Sequence, residues 1–447
     1  MYETKKIYET HNIMNFSAET TFASYTLAAQ DTTVVVHFQA PVNAERAPVD
    51  IVLVSDVSGS MFGPKMDLLK QASRMLVKET TANDRVGLVE FSTDARTSSD
   101  LKHMDEDGKR DVSACIERMI SGGGTNLSAG LFMGVQQLVA PEQRVRAVLL
   151  MTDGRANEGL IYLKEIVHVL HGLLANTGIT IHAFGYGADH DSTLLRGIVN
   201  GSFYFVEGVD DLRGSFGDCL GGLLSVVAQN ITVTLEGVNG TIKKVHHKNA
   251  ETLADGRVRV PFSDLYGDEQ RDLVVDVALP EGSAGVVVNA TLSYVDVVNA
   301  RAATMSTDVV VKRMETVDDA PNPKVELQVA RLRVARSLDE ARQSAEKSDM
   351  VKARGLLVKE KEELGLLRKR TGDVAILDDF DADVDRGLRG LQNEASFKAA
   401  RHEMASASEA HEQQRAMSSG PELVRRTTYQ TKSKESMKAK FSEPVRR

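Results

Sequence analysis

A continuous apolar run rich in β-branched side chains, residues 49–55, constrains the fold of this chain more than any other feature. Such a run is typical of a strand in a parallel sheet that helices cover on both faces. Asp56 follows directly, and Ser58 and Ser60 come at the next two alternate positions. Open α/β sheets bind their ligands at the carboxyl ends of their strands. The sequence therefore predicts an α/β fold with a ligand site in this loop.

The side chains of Asp56, Ser58 and Ser60 offer three oxygen donors, with no histidine or cysteine among them. Hard cations such as Mg²⁺ prefer oxygen ligands, whereas zinc sites in proteins are richer in His and Cys. The alternative interpretation is a helix cap, because Asp and Ser also satisfy the first backbone N–H groups of a helix. A helix is expected from about Lys65 onward.

Two further loops favour the metal site over the cap. A glycine-rich turn at 122–124 presents Thr125 just before a predicted helix, and a second buried run at 147–152 ends at Asp153. Because the carboxyl ends of parallel strands meet at one sheet edge, we expect the donors of the three loops to converge. The predicted metal-binding residues are Asp56, Ser58, Ser60, Thr125 and Asp153.

This Asp-x-Ser-x-Ser … Thr … Asp pattern resembles the von Willebrand factor A domain with its metal-ion-dependent adhesion site, and all five positions match. The resemblance implies a doubly wound, Rossmann-like domain that binds Mg²⁺, or Mn²⁺, which accepts the same six oxygens. It implies that Ser58, Ser60 and Thr125 are direct or near-direct ligands. Asp56 and Asp153 would bind directly or through water. One coordination position is then left for an Asp or Glu side chain of a partner protein.

The order of the predicted elements assigns residues 47–228 to this A domain. From 229 to 317 short alternating strands are punctuated by Gly and Asp, which is typical of an all-β sandwich. A strand at 32–40, within the N-terminal segment 1–46, is expected to join the sandwich. The A domain would then be inserted into the sandwich.

Residues 318–405 are predicted to form a helical hairpin or small bundle, with a third helix at 380–404. Residues 406–447 are expected to be a polar, basic tail, either disordered or lying as a solvated strap over another domain. A tail that binds phosphate or lipid is the alternative. The last helix of the A domain is predicted at 210–228, and the resemblance implies that this helix slides when the metal gains a partner carboxylate.

The composition limits the classes of partner. The net charge of −9 and the absence of Trp argue against a nucleic-acid-binding surface. No apolar stretch approaches the length that spans a bilayer. The first residues lack the apolar core of a signal peptide, so a cytoplasmic or other intracellular location is expected. The oligomeric state is not fixed by the sequence.

The wider chain resembles a group of plant A-domain proteins that carry a RING zinc finger ahead of the A domain. The stretches that carry this resemblance are 187–191, 216–227, 265–272 and 413–416. In that group the RING finger recruits a ubiquitin-charged enzyme and the A domain is thought to select partners. This sequence has two cysteines, Cys115 and Cys219, and no Cys/His cluster, so we do not expect it to be a ubiquitin ligase by itself.

The leading functional hypothesis is a non-enzymatic, Mg²⁺-dependent module that captures an acidic side chain of a partner. A RING-less substrate-binding subunit of a ubiquitin-ligase complex is the alternative. A phosphoryl-transfer hydrolase with Asp56 as nucleophile is more distant, because Ser58 stands where such enzymes usually place a second carboxylate. A scaffold in which the metal only braces loops is disfavoured, because carboxylates would bind the ion more tightly than neutral hydroxyls do.

Overall fold

The fold was analysed in a computed structural model, which describes residues 14–41, 46–139, 144–175, 177–187, 191–282, 284–315, 317, 320–372, 374–415 and 429–442. The chain begins with two antiparallel strands, β1 (Asn15–Thr20) and β2 (Gln30–Gln39). The A domain follows with strands and helices in alternation. In chain order these elements are β3 (Val49–Asp56), α1 (Pro64–Glu79), β4 (Arg85–Phe91), β5 (Ala95–His103), α2 (Glu106–Glu117), α3 (Leu127–Gln136), β6 (Val145–Thr152), α4 (Leu163–Leu174), β7 (Ile179–Tyr186), α5 (Ser192–Ile198), β8 (Phe203–Val206) and α6 (Val209–Leu223).

The A-domain sheet has the strand order β5-β4-β3-β6-β7-β8, and every pair in it is parallel except β4 with the edge strand β5. The central strand β3 is buried along its whole length because helices cover both faces. Ile51 and Leu53 pack in a core shared with α1, α2 and α6. Val52 and Val54 pack in a second core with α3, α4 and α5. The prediction of a doubly wound sheet is confirmed.

The chain then returns to β-structure in two sheets that share one apolar core. The added strands are β9 (Val226–Gly237), β10 (Thr241–Val245), β11 (Glu251–Thr252), β12 (Val258–Phe262), β13 (Leu265–Tyr266), β14 (Gln270–Leu279), β15 (Gly285–Asp296) and β16 (Arg301–Val311). One sheet has the order β1-β2-β14-β10, and the other has β11-β12-β9-β15-β16 with β13 against β9. Strand β2 pairs with β14 from Gln30 opposite Leu279 to Gln39 opposite Gln270. The A domain therefore lies between two strands of the sandwich, as predicted.

Four helices follow and bury a common apolar core. They are α7 (Pro323–Glu346), α8 (Met350–Thr371), α9 (Ala375–Gly390) and α10 (Glu394–Gln413). The single third helix predicted at 380–404 is wrong, because the chain turns after Gly390 and Asn393 caps α10 by accepting a hydrogen bond from the Ser396 N–H. A Cβ added at Gly390 would lie 2.4 Å from Cβ of Ala400, so glycine permits this close turn. In the described part of the chain, no helix is long and apolar enough to cross a membrane.

Two boundaries differ from the prediction. Helix α6 ends at Leu223 and β9 starts at Val226, so the change from helix to strand comes earlier than residue 228. Helix α10 runs on to Gln413, past the predicted start of the polar tail at 406, because Ala407 and Ala410 face the interior. Alanine at a helical spacing of three is a weak apolar signal among the polar residues around it.

The described end of the chain lies over the A domain, which was one of the expectations for the tail, but it is packed there and not solvated. Helix α11 (Lys432–Ser442) packs against α6 of the A domain. The ammonium groups of Lys434 and Lys438 lie 2.8 and 2.9 Å from the two carboxylate oxygens of the buried Asp218. A Cβ added at Gly221 would lie 2.7 Å from Cα of Lys434, so the small residue lets the two backbones approach closely.

Candidate metal centre

Asp56 is the last residue of the central strand, and its carboxylate is fully buried. One oxygen, Oδ1, accepts a hydrogen bond from the backbone N–H of Ser58 at 2.8 Å. The other, Oδ2, accepts a hydrogen bond from the hydroxyl of Thr152, at the end of β6, at 2.6 Å. Asp56 thereby ties the first loop to the end of the neighbouring strand.

Ser58 directly precedes a short 3₁₀ turn, Gly59–Met61, and Ser60 lies within this turn, which leads to α1. The hydroxyl oxygens of Ser58 and Ser60 lie 3.1 Å apart. Ser58 is buried, whereas Ser60 is exposed at the surface of the loop. Their hydroxyls therefore reach from the buried carboxylate of Asp56 toward solvent.

Thr125 comes from the loop between α2 and α3, and backbone hydrogen bonds hold this loop against the first one. The N–H of Gly122 donates to the carbonyl of Val57 at 2.8 Å, and the N–H of Gly59 donates to the carbonyl of Gly123 at 3.1 Å. Gly123 has a φ of +82°, a left-handed conformation that favours glycine. Thr125 itself is buried.

Asp153 directly follows β6 and is fully buried. Its Oδ2 lies 3.0 Å from the ammonium group of Lys65, in the first turn of α1. The backbone N–H of Thr125 donates to the side-chain carbonyl of Asn157 at 2.8 Å, which joins the loop after Asp153 to the loop of Thr125. The three loops that carry the five predicted residues are thus linked to one another at the carboxyl edge of the sheet.

Three residues that pair with the side chains or loops of the candidate site were not predicted from the sequence: Lys65, Thr152 and Asn157. Thr152 had a signal, since a hydroxyl one position before Asp153 at a strand end can reach the neighbouring strand. Lys65 and Asn157 had none, because a lysine in a first helical turn and an asparagine in a loop are ordinary at the surface.

The electrostatics of Asp56 bear on whether a cation fits. Burial raises the pKa of Asp56 to about 6, the hydrogen bonds from Ser58 and Thr152 act against this rise, and the negative charge of Asp153 adds to it. Within the described residues, no Lys, Arg or His side chain pairs with Asp56. A buried carboxylate without a cation, beside neutral hydroxyls, is a donor set suited to Mg²⁺. The residues present therefore fit a hard divalent ion.

Clusters of three or more His, Cys, Asp or Glu side chains that could hold a metal do not occur in the part of the chain that the structure describes. Both cysteines are free thiols. A site rich in imidazole or thiolate ligands, as zinc prefers, is thus not formed by these residues.

A doubly wound sheet with this loop arrangement defines a class of α/β domain that binds ligands at the carboxyl edge of its strands. Residues 50–216 match the family described as von Willebrand factor type A domain, so the chain contains a von Willebrand factor A domain.

Known proteins resemble the chain over different lengths. The E3 ubiquitin-protein ligase WAV3 of Arabidopsis thaliana is 28% identical over 249 residues, which cover 53% of this chain and 32% of that protein. The chain thus spans about a third of the length of this relative.

Two solved structures match nearly the whole fold. The von Willebrand factor type A protein from Catenulispora acidiphila superposes with a TM-score of 0.70 at 16% identity, covering 90% of this chain and 97% of that one. The ArnB paralog VWA2 from Sulfolobus acidocaldarius gives a TM-score of 0.56 at 14% identity and covers 88% of this chain and 99% of that one. These matches confirm the fold class.

Proposed function

We propose that this A domain is a Mg²⁺-dependent protein-binding module that captures an Asp or Glu side chain of a partner, and that it catalyses no reaction. The observation that carries the proposal is the buried carboxylate of Asp56, unpaired with any cation of the described chain and surrounded by hydroxyl oxygens. Von Willebrand factor A domains generally mediate protein–protein interaction, which supports this assignment.

Ser58, Ser60 and Thr125 would hold the ion with neutral oxygens, while Asp56 and Asp153 would supply the negative charge. A bound Mg²⁺, or Mn²⁺, would supply an electrophilic centre, and a carboxylate of another protein could complete its coordination shell. Because the hydroxyl ligands are neutral, they leave much of the charge of the ion available to that carboxylate. The exposed Ser60 lies on the solvent side of the site, where a partner would approach.

The similarity to WAV3 favours a second candidate, a substrate-binding subunit of a ubiquitin-ligase complex. Such a subunit would use the same metal site to hold the substrate and would recruit the ligase through another surface. A phosphoryl-transfer hydrolase receives no support, because Ser58 stands where such an enzyme usually places a second carboxylate.

Metal binding is tested by titrating Mn²⁺ into the full chain and measuring the heat of binding. We expect Ser60→Ala and Thr125→Ala to weaken Mn²⁺ binding roughly tenfold or more, since each removes an oxygen donor. The matched controls are Ser306→Ala and Thr304→Ala on the exposed strand β16, which should bind Mn²⁺ like the wild type. Unchanged affinity in both site variants would contradict the proposal.

Partner binding is tested by a pull-down from cell extract in Mg²⁺ and in EDTA, with wild type and Ser60→Ala. Partners that are lost both in EDTA and in the variant would support metal-bridged recognition. Ubiquitin-ligase subunits that stay bound in EDTA, while a further protein is lost, would favour the second candidate. If every partner is indifferent to both changes, the A-domain site does not bind them.

A further inference from the structure

Three of the four most exposed large apolar side chains of the described residues lie in the loops of the metal site. Ile120, Phe62 and Tyr162 are 81%, 80% and 66% exposed. Among the other described large apolar side chains, only Val351 on α8 is comparably exposed, at 86%, and the next is Val310 at 56%. Most large apolar side chains are buried in folded proteins, so exposed ones gathered around one site indicate an interaction surface.

Phe62, Ile120 and Tyr162 belong to three different loops of the site. Phe62 directly follows the 3₁₀ turn that carries Ser60. Ile120 lies two residues before Gly122, in the loop that leads to Thr125, and Tyr162 closes the loop that starts at Asp153. Ile161, beside Tyr162, is 41% exposed. We call these four side chains, Phe62, Ile120, Ile161 and Tyr162, the apolar rim.

The side chains of Phe62 and Ile120 are not needed to anchor their loops. Met61, next to Phe62, and Met119, next to Ile120, are buried in the core of the A domain and take that role. Backbone hydrogen bonds fix the loops as well: the Phe62 N–H donates to the Gly59 carbonyl at 3.3 Å. The rim therefore presents apolar surface to solvent from a backbone that is held in place, which lowers the entropy lost when a partner binds.

We propose that the apolar rim selects the partner: a protein segment in which the Asp or Glu that reaches the metal is flanked by large apolar side chains. The inference rests on the proposed function, because the metal accounts for the acidic residue at the centre. The rim side chains carry no charge, so apolar residues beside that acid would bind the rim more favourably than polar or charged ones. An extended segment advances about 3.3 Å per residue, so side chains one to three positions from the acid reach the loops around the site.

The test is a display library of nonapeptides with a fixed central Asp and random residues on both sides. The full chain is immobilised, the library is bound in Mg²⁺, and peptides are released with EDTA. We expect the released peptides to be enriched in Phe, Leu, Ile, Met or Tyr next to the Asp.

The enriched peptide is then measured against variants of the rim. Phe62→Ser, Ile120→Ser and Tyr162→Ser should each weaken its binding roughly five- to twentyfold, because each removes apolar contact area. Val351→Ser on α8 is the matched control and should leave peptide binding unchanged. Mn²⁺ affinity should stay the same in all four variants, which separates the rim from the metal site.

The outcomes distinguish the two proposals. Peptides that are released by EDTA but have polar residues beside the Asp would overturn the rim inference and leave the proposed function standing. Peptides that bind equally in EDTA, or a complete lack of enriched peptides, would overturn both. Self-association of the wild type that is lost in Phe62→Ser would mean that the rim contacts a second copy of this chain, and would also overturn the inference.

Discussion

At the scale of single residues, the two buried carboxylates of the site differ in how their charge is compensated. Asp153 lies 3.0 Å from the ammonium group of Lys65, whereas Asp56 receives hydrogen bonds from Ser58 and Thr152. Hydrogen bonds stabilise a buried carboxylate less than a paired cation does, which is why burial still raises the pKa of Asp56 to about 6. A cation bound beside Asp56 would add a positive charge next to a carboxylate that is stabilised by hydrogen bonds from Ser58 and Thr152.

Lys65 brings a positive charge close to the proposed metal position, and we expect it to weaken metal binding. Replacing it by methionine keeps most of the apolar stem and removes the charge. The Lys65→Met variant should bind Mn²⁺ roughly fivefold more tightly, equivalent to about 1 kcal/mol of relieved repulsion. Calorimetric titration with Mn²⁺ measures this change.

The control for this substitution is Lys243→Met, which removes an ammonium group that pairs with the exposed Asp31 on the sandwich. It should leave Mn²⁺ binding unchanged. Weaker binding in Lys65→Met would show that Lys65 acts by holding Asp153 in position, and that this effect outweighs the repulsion.

At the scale of elements, the features fixed by local pattern could be predicted and those fixed by distant contacts could not. The apolar runs that end at Asp56 and Asp153 define two buried parallel strands, since only a strand covered on both faces is apolar throughout. Helix α11 was missed because its lysines look like an ordinary exposed basic tail. The buried ammonium group of Lys434 pairs with Asp218, which is 216 positions away in the sequence.

The pair of α6 and α11 yields a prediction on stability. Asp218→Asn leaves the buried ammonium group of Lys434 without its ion-pair partner, and this should lower the local stability of both helices by about 3 kcal/mol. Hydrogen exchange of the backbone amides in α6 and α11 reports that loss. The double variant Asp218→Asn with Lys434→Met should recover part of it, since it removes the unpaired charge.

The same contact predicts a pH dependence. Burial alone would raise the pKa of Asp218, but the ammonium groups of Lys434 and Lys438 outweigh it and lower the pKa from 3.8 to about 2. The stabilisation of the folded state by these ion pairs is therefore present above pH 3.8 and is lost as the pH falls through about 2. The difference in thermal midpoint between wild type and Asp218→Asn should shrink in that window. A constant difference down to the lower pH would contradict the assigned ion pair.

At the scale of the whole molecule, two buried polar residues just after α10 join the helices to the sandwich. Arg415 is buried, donates two hydrogen bonds to the carboxylate of Glu269 at 3.0 and 3.1 Å, and lies over the ring of Tyr266. The side chain of Gln414 bonds both the N–H and the carbonyl of Asp272 at the edge of the sandwich. The stretch 413–416 carries part of the resemblance to the plant group, but nothing in its local pattern separates Arg415 from an exposed arginine, so this junction could not be predicted.

The connection between α6 and the sandwich bears on how the A domain, with its proposed metal site, is linked to the rest of the protein. Only two residues separate the end of α6 from the start of β9, so a shift of α6 along its axis would move a central strand of the sandwich. The resemblance to other A domains implies such a shift when the metal gains a partner carboxylate. We expect α11 to oppose such a shift, because Lys434 of α11 forms an ion pair with the buried Asp218 of α6.

We therefore expect partner binding to change the angle between the A domain and the sandwich, and we expect α11 to limit the change. Small-angle scattering with Mg²⁺, with and without a bound acidic peptide, measures it. The profile of Lys434→Met should change more than that of the wild type, because α6 is less firmly held, and Ser60→Ala should show no change because it does not bind the peptide. Profiles that stay the same when the peptide binds, in wild type and in Lys434→Met alike, would mean that the site moves neither α6 nor the sandwich.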